Sequence, residues 1–153
     1  MIRAAIAALF YFRYICKKYI LKIRPLFFIP AIIWIIIIFI LLTMPGSDVP
    51  EYPLLDVIQF DKWVHCGLFA ALVFLCSFPL KKAFPHYAFI YLLIAILSLA
   101  YGIGMEYVQK YWKAIDRDFD VLDMAADGVG CVFGFLFIQW QLKRRNKKSS
   151  VVQ

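Results

Sequence analysis

Four long stretches without a charged residue constrain the possible folds of this chain more than any other feature of its sequence. They cover residues 25–47, 63–80, 83–105 and 128–142. A helix needs about 20 apolar residues to cross ~30 Å of hydrocarbon, and isolated strands leave unpaired backbone groups in lipid. Hydrophobic residues make up 64% of the chain, whereas a soluble domain is nearer half apolar. The sequence therefore predicts an all-α membrane protein.

We predict a four-helix transmembrane bundle with an N-terminal interfacial amphipathic helix. The spans are expected at roughly residues 27–44, 62–80, 86–109 and 120–142. The first residues mix basic and apolar side chains, which is typical of a helix lying on the membrane surface. A fifth span there would place Arg13, Lys17 and Lys18 in the membrane, at a cost of a few kcal/mol each. The chain then divides into an amphipathic segment (1–25), a membrane domain (26–142) and a basic tail (143–153).

Basic and acidic residues are segregated along the chain. Thirteen of the seventeen Lys and Arg residues lie before residue 25, at 81–82 or after residue 142, with no acidic residue among them. All ten acidic residues lie in the other connections or in the helix ends beside them. The positive-inside rule then predicts that both termini are cytoplasmic. The net charge of +7 indicates topology and contacts with membrane lipids, and not nucleic-acid binding.

The fourth uncharged stretch is too short to cross a membrane. Its fifteen residues span ~22 Å, so the helix must begin before Asp127, near Asp120. Asp120, Asp123 and Asp127 then share one helix face. A carboxylate at membrane depth must face the bundle or a water-filled cavity. Gly130 and Gly134 continue that face, and such small residues let another helix approach closely.

Polar residues of two other helices are predicted to reach the same end of the bundle. Asp61 and His65 are four residues apart at the start of the second helix. On the third helix, one face carries Ala95, Ser98, Gly102, Glu106 and Gln109. Arg117 lies in the following connection, at the mouth of the site. We therefore expect a polar pocket that opens on the extracytoplasmic side.

Several of these residues belong to motifs whose order resembles the VanZ-like family of bacterial membrane proteins. The motifs are LLTMPG ending the first helix, DKWVH opening the second, YGIGMEYVQ ending the third, and R-x5-D-x3-D-x2-G from Arg117 to Gly130. The resemblance covers roughly residues 31–142. It implies a four-span protein of the bacterial cytoplasmic membrane, associated with the cell envelope. The family takes its name from a protein associated with resistance to the glycopeptide antibiotic teicoplanin.

The resemblance also selects site residues. The motif positions are Asp61, Lys62, His65, Glu106, Gln109, Arg117, Asp123 and Asp127. The family usually has asparagine at the position of Asp127, so this chain adds a charge or a proton to the pocket. The candidates for acid/base catalysis are His65, Glu106 and Asp123. The candidates for ligand binding are Asp61, Lys62, Gln109, Arg117, Asp120 and Asp127.

Three functions stay open. The first is binding of a lipid-linked envelope precursor or a glycopeptide-type ligand in the pocket. The second is an enzyme acting on a lipid-linked substrate, with His65 as general acid or base and Arg117 holding a phosphate or carboxylate. The third is a purely structural network between helices. We assign no metal ligand and no cofactor, because H-E-x-x-H and paired histidines are absent; one histidine and several carboxylates suit Mg²⁺, Mn²⁺ or Ca²⁺ better than structural Zn²⁺.

Overall fold

Residues 25–45, 59–112 and 119–151 are described by the computed structural model, with residues 146 and 148–151 described by their backbone alone. The regular elements in these ranges are helices: α1 (Ile29–Leu42), α2 (Phe60–Ser77), α3 (Ala88–Tyr111) and α4 (Val121–Val151). Single 3-10 turns precede α1 (Pro25–Phe28) and follow α2 (Phe78–Leu80). The predicted amphipathic helix lies outside the described residues except for Pro25, and Arg117 lies outside them too.

Four helices are long and apolar enough to cross a membrane, as the sequence predicts. The apolar spans are Pro25–Leu42, Phe60–Leu80, Ala88–Tyr111 and Val121–Arg145. Large apolar side chains cover the surface of the bundle, and Ile32, Phe89, Leu97 and Phe133 are each more than half exposed. Water-soluble proteins rarely present such continuous apolar surface, whereas lipid accepts it without cost.

The last helix differs from its predicted range at the C-terminal end. It begins at Val121 because Asp120 is its N-cap, with Oδ1 accepting a hydrogen bond from the Leu122 backbone N–H at 2.7 Å. It continues past Leu142 to Val151. No Gly or Pro follows Leu142 in this stretch, so nothing stops the helix where its apolar part ends.

The contact between α2 and α4 is the most extensive in the bundle, and glycines allow it. A Cβ atom on Gly130 would overlap the carbonyl oxygen of Cys66. One on Gly134 would lie 2.7 Å from the carbonyl oxygen of Ala70. Only a glycine permits such close approach of two helix backbones, so the predicted small-residue stripe is the α4 side of this interface. We call these two positions and their partners the glycine contact.

Side-chain hydrogen bonds to backbone carbonyls attach α1 to the other helices. Trp34 Nε1 donates to the Leu68 carbonyl of α2 at 2.9 Å. The Tyr101 hydroxyl of α3 donates to the Ile35 carbonyl at 3.0 Å. These bonds satisfy side-chain donors that would otherwise lie unpaired in hydrocarbon.

Candidate functional site

The predicted polar stripes of α2, α3 and α4 meet where α2 and α4 begin and α3 ends. We call the side chains gathered there the acidic cluster: Asp61, Lys62, His65, Glu106, Asp120, Asp123 and Asp127. Contacts between α2 and α4, and between α3 and the start of α4, join its members. Sequence spacing predicted that the acidic residues and His65 share polar faces of their helices, whereas Lys62 was selected by the family resemblance. The parallel directions of α2 and α4 bring these faces together.

Lys62 forms the more exposed part of the cluster with two aspartates. Its Nζ donates to Asp120 Oδ2 and to Asp123 Oδ1, both at 2.6 Å. The Asp120 side chain is 40% exposed and that of Asp123 is 11% exposed. The Lys62 ammonium holds the pKa of the Asp120 carboxyl below its usual range, and the Leu122 N–H adds to this effect. Lys62, a predicted ligand-binding residue, is thus already bonded to two carboxylates of the cluster.

His65 and Asp127 form the buried part of the cluster. His65 Nδ1 lies 2.9 Å from Asp127 Oδ1, and the two side chains are 1% and 0% exposed. In the neutral imidazole, with the Asp127 carboxylate as acceptor, Nδ1 carries the proton and Nε2 has the lone pair. Gly102 of α3 provides the space for this carboxylate, because a Cβ there would overlap Asp127 Oδ2. The sequence placed Gly102 on the same face as Glu106 but gave no reason for a glycine.

Glu106 is also completely buried. Its Oε2 accepts a hydrogen bond from the Asp120 backbone N–H at 3.2 Å. Glu106 Oε1, His65 Nε2 and Asp127 Oδ2 are buried without a hydrogen-bond partner among the described residues. Each such group costs about 1–3 kcal/mol, and more when charged. Ser77 Oγ and Gln139 Nε2 are the other two buried side-chain atoms without a partner among the described residues, so three of these five atoms lie in the acidic cluster.

Gln109 has a different neighbour from the rest of the predicted site. Its Nε2 donates to the carbonyl oxygen of Leu42, the last residue of α1, at 2.9 Å. That carbonyl is at a helix C-terminus, where no intrahelical partner is available. The observed contact of Gln109 therefore attaches α3 to α1. A contact between Gln109 and the acidic cluster is not among those the structure describes.

Part of the cluster has the composition of a metal site. One ring nitrogen of His65 and one carboxylate oxygen each of Asp61 and Asp123 lie within 4.8 Å of one another. Asp61 is exposed, whereas His65 and Asp123 are buried. The cluster is therefore accessible to solvent at Asp61 and Asp120 and buried at His65, Glu106 and Asp127.

Comparisons of the chain with protein-family models, with curated proteins and with solved structures find no match.

Proposed function

We propose that this chain is a VanZ-like, cell-envelope-associated protein of the bacterial cytoplasmic membrane. Its acidic cluster faces the outside of the cell and binds the head group of a lipid-linked envelope precursor or a glycopeptide-type ligand. The observation that carries the proposal is the set of buried atoms on His65, Glu106 and Asp127 that have no partner among the described residues. A fold retains such atoms at a cost when a ligand or a reaction uses them.

The composition of the cluster limits the ligand. Five carboxylates share one lysine ammonium and one imidazole. Ionised carboxylates only accept hydrogen bonds, so a ligand must supply N–H or O–H donors or positive charge. Sugar hydroxyls, peptide amides and amino groups are such donors, and envelope precursors and glycopeptides are rich in them. Asp61 and Asp120 are the members that such a head group meets first, because they are the more exposed ones.

A surface groove beside the cluster supports a lipid-linked ligand. It lies between α3 and α4 and is lined by Leu99, Ala125, Gly128, Val129, Val132 and Phe133. All these side chains are apolar or absent, as an acyl or isoprenoid chain requires. Ala125 is within one turn of Asp123 and Asp127 on α4, so a lipid chain in the groove would end at the same level of the bundle as the cluster, on another face of α4.

The distribution of charge supports the outward orientation. The acidic side chains that the structure describes all belong to the cluster. Lys81, Lys82, Arg144 and Arg145 lie at the opposite end of the bundle, where Arg145 donates to the Lys81 carbonyl at 3.2 Å. Basic residues are retained on the cytoplasmic side of a membrane, which supports an extracytoplasmic position for the acidic end.

The His65–Asp127 pair favours a second function, acid/base catalysis on a lipid-linked substrate. A carboxylate that accepts from Nδ1 orients the imidazole and leaves Nε2 free to take a proton from a reacting group. Asp127 would then position His65. In this function His65→Gln abolishes turnover of the substrate while Lys82→Gln, at the other end of the bundle, does not; retained turnover in His65→Gln removes His65 from the mechanism.

Binding to the purified protein in detergent tests the proposal. The probes are a polyprenyl-diphosphate-linked disaccharide peptide and, separately, teicoplanin, with affinity measured by isothermal titration. Losing one charged acceptor costs about 1.5–3 kcal/mol, so Asp123→Asn is expected to weaken binding about 10- to 100-fold. Lys82→Gln is the control and should bind like the parent. Failure of both probes to bind, or equal binding by Asp123→Asn, would overturn the proposal.

Topology is tested separately with a single cysteine. Trp112 is half exposed at the end of α3, and Trp112→Cys is made in a chain whose native cysteines are serines. A membrane-impermeant maleimide should label it in intact cells. Labelling that requires permeabilised cells would place the acidic cluster in the cytoplasm and contradict the proposal.

A further inference from the structure

We propose that Asp61, His65 and Asp123 bind a divalent metal ion, with Mn²⁺ or Zn²⁺ as the ions that fit these ligands. One donor atom from each of the three side chains lies within 4.8 Å of the other two. The inference rests on these side chains and does not require the lipid-linked or glycopeptide ligand.

The spacing of the three donors suits one ion after a small closure. Donors at about 2.1 Å from a common ion lie roughly 3–3.5 Å apart. Asp61 and His65 are four residues apart on α2 and so project from the same face. Asp123 approaches them from the first turn of α4. The Asp61 side chain is exposed among the described residues, which leaves it room to rotate toward the other two.

The surroundings of His65 are those of a metal ligand. Histidines that bind metal ions almost always donate their second ring N–H to a carboxylate, a carbonyl or water. His65 has this partner in Asp127, at 2.9 Å from Nδ1, and both side chains are buried. The nitrogen left for the ion is Nε2, which is buried and has no hydrogen-bond partner among the described residues. A metal ion at Nε2 would satisfy that atom.

The charge balance of the cluster favours a dication. In the contacts that the structure describes, Lys62 occupies Oδ1 of Asp123, which leaves Oδ2 for a metal. Glu106, Asp123 and Asp127 are all buried at this end of the bundle. Several carboxylates in a low-dielectric region destabilise one another, and a bound divalent cation offsets this repulsion.

The donor set selects the class of ion. Imidazole suits Zn²⁺ and other transition metals, whereas carboxylates suit Mg²⁺, Ca²⁺ and Mn²⁺. Mn²⁺ and Zn²⁺ both accept one imidazole nitrogen together with two carboxylates. Three protein ligands leave a coordination position open for water or a bound ligand. The sequence predicted no metal ligand, because it contains no H-E-x-x-H motif and no paired histidines.

Mn²⁺ binding to the chelator-stripped protein in detergent tests the inference. Electron paramagnetic resonance should detect one Mn²⁺ per chain, with echo-envelope modulation from an imidazole nitrogen. Asp61→Asn should weaken Mn²⁺ binding about 10-fold or more. Even a residue that only orients a metal-binding side chain has an effect of this size when it is changed. His65→Gln should remove the nitrogen modulation. His86→Asn, at the exposed second histidine of the described chain, should retain both properties.

Zn²⁺ is tested in parallel by equilibrium dialysis with the same variants. Failure of both ions to bind at millimolar concentrations would overturn the inference, as would binding that Asp61→Asn leaves unchanged. Should His65→Gln fail to fold, the parent's nitrogen modulation and the exposed Asp61→Asn variant still decide: absence of the modulation in the parent counts against a His65 ligand.

Discussion

The interface between α2 and α4 is held in two different ways along its length. In the glycine contact, Gly130 and Gly134 bring backbone against backbone, and no polar side chain is needed. In the acidic cluster, one turn or more earlier on α4, charged side chains meet across the same two helices. Both parts join the same helices. Three of the five buried side-chain atoms without partners among the described residues lie in the cluster, and the other two, Ser77 Oγ and Gln139 Nε2, lie further along the same helices.

The glycine contact and the acidic cluster differ in whether the fold requires them. The glycine contact is complete as packing, because each missing side chain is replaced by a neighbouring helix backbone. The acidic cluster holds more carboxylates than its lysine and histidine can pair, at a depth where charge is costly. We infer that the glycine contact maintains the bundle and that the acidic cluster serves a ligand.

The largest effect is expected from a methyl group in the glycine contact. Gly130→Ala places Cβ against the Cys66 carbonyl, which belongs to a helix backbone and cannot rotate away. Overpacking of this kind costs up to about 3 kcal/mol. We expect a marked fall in the unfolding temperature in detergent.

Gly128→Ala on the same helix is the matched control. Its added Cβ would meet only Leu99 Cδ1 at 3.8 Å, an ordinary contact. Its stability should equal or slightly exceed that of the parent, since alanine is favoured over glycine by about 1 kcal/mol inside a helix. Equal losses of stability in Gly130→Ala and Gly128→Ala would contradict a special packing role for the glycine contact.

A smaller effect is expected at the exposed part of the cluster, and it depends on pH. The Lys62 ammonium lowers the pKa of Asp120 in the folded chain. A lowered carboxyl pKa stabilises the folded state above the ordinary pKa of about 4, and this contribution is lost as the pH falls through the folded value. Asp120→Asn retains the helix cap but not the charge.

The unfolding temperatures of the parent and Asp120→Asn are compared at neutral and acidic pH. The parent should be the more stable at neutral pH, and the difference should shrink below about pH 4. The effect should be small, because the Asp120 side chain is 40% exposed and water screens the pair. A difference that grows on acidification would contradict the assigned Lys62–Asp120 interaction.

The sequence predicted the parts of the molecule that follow from helix periodicity and membrane thickness. The uncharged stretches gave the four spans, and i, i+3, i+4 spacing put His65, Glu106, Asp123 and Asp127 on inward faces. The pairing partners could not be predicted in this way. Which carboxylate lies next to His65 depends on the axial register of α2 against α4. The close approach of Gly130 to the Cys66 backbone fixes that register.

The contacts of Gln109 and Lys62 also could not be predicted from the sequence. The pattern of α3 grouped Gln109 with Glu106, yet Gln109 bonds the end of α1, since the position of α1 is not encoded in the periodicity of α3. Lys62 was predicted to bind a ligand, and the structure shows in addition that its ammonium donates to Asp120 and Asp123; its ligand-binding role stays a prediction. Arg117 and the amphipathic segment lie outside the described residues, so their assignments stay predictions.

The most direct measurement of the central claim is the unfolding temperature of Glu106→Gln beside the parent, in detergent with a chelator present. The substitution preserves the shape of the side chain and an acceptor for the Asp120 N–H, but removes the buried charge. If the acidic cluster serves a ligand at a cost to the fold, the unfolding temperature will be unchanged or raised. A clear fall would mean that the Glu106 carboxylate helps to hold the helices together, and the cluster would then be structural.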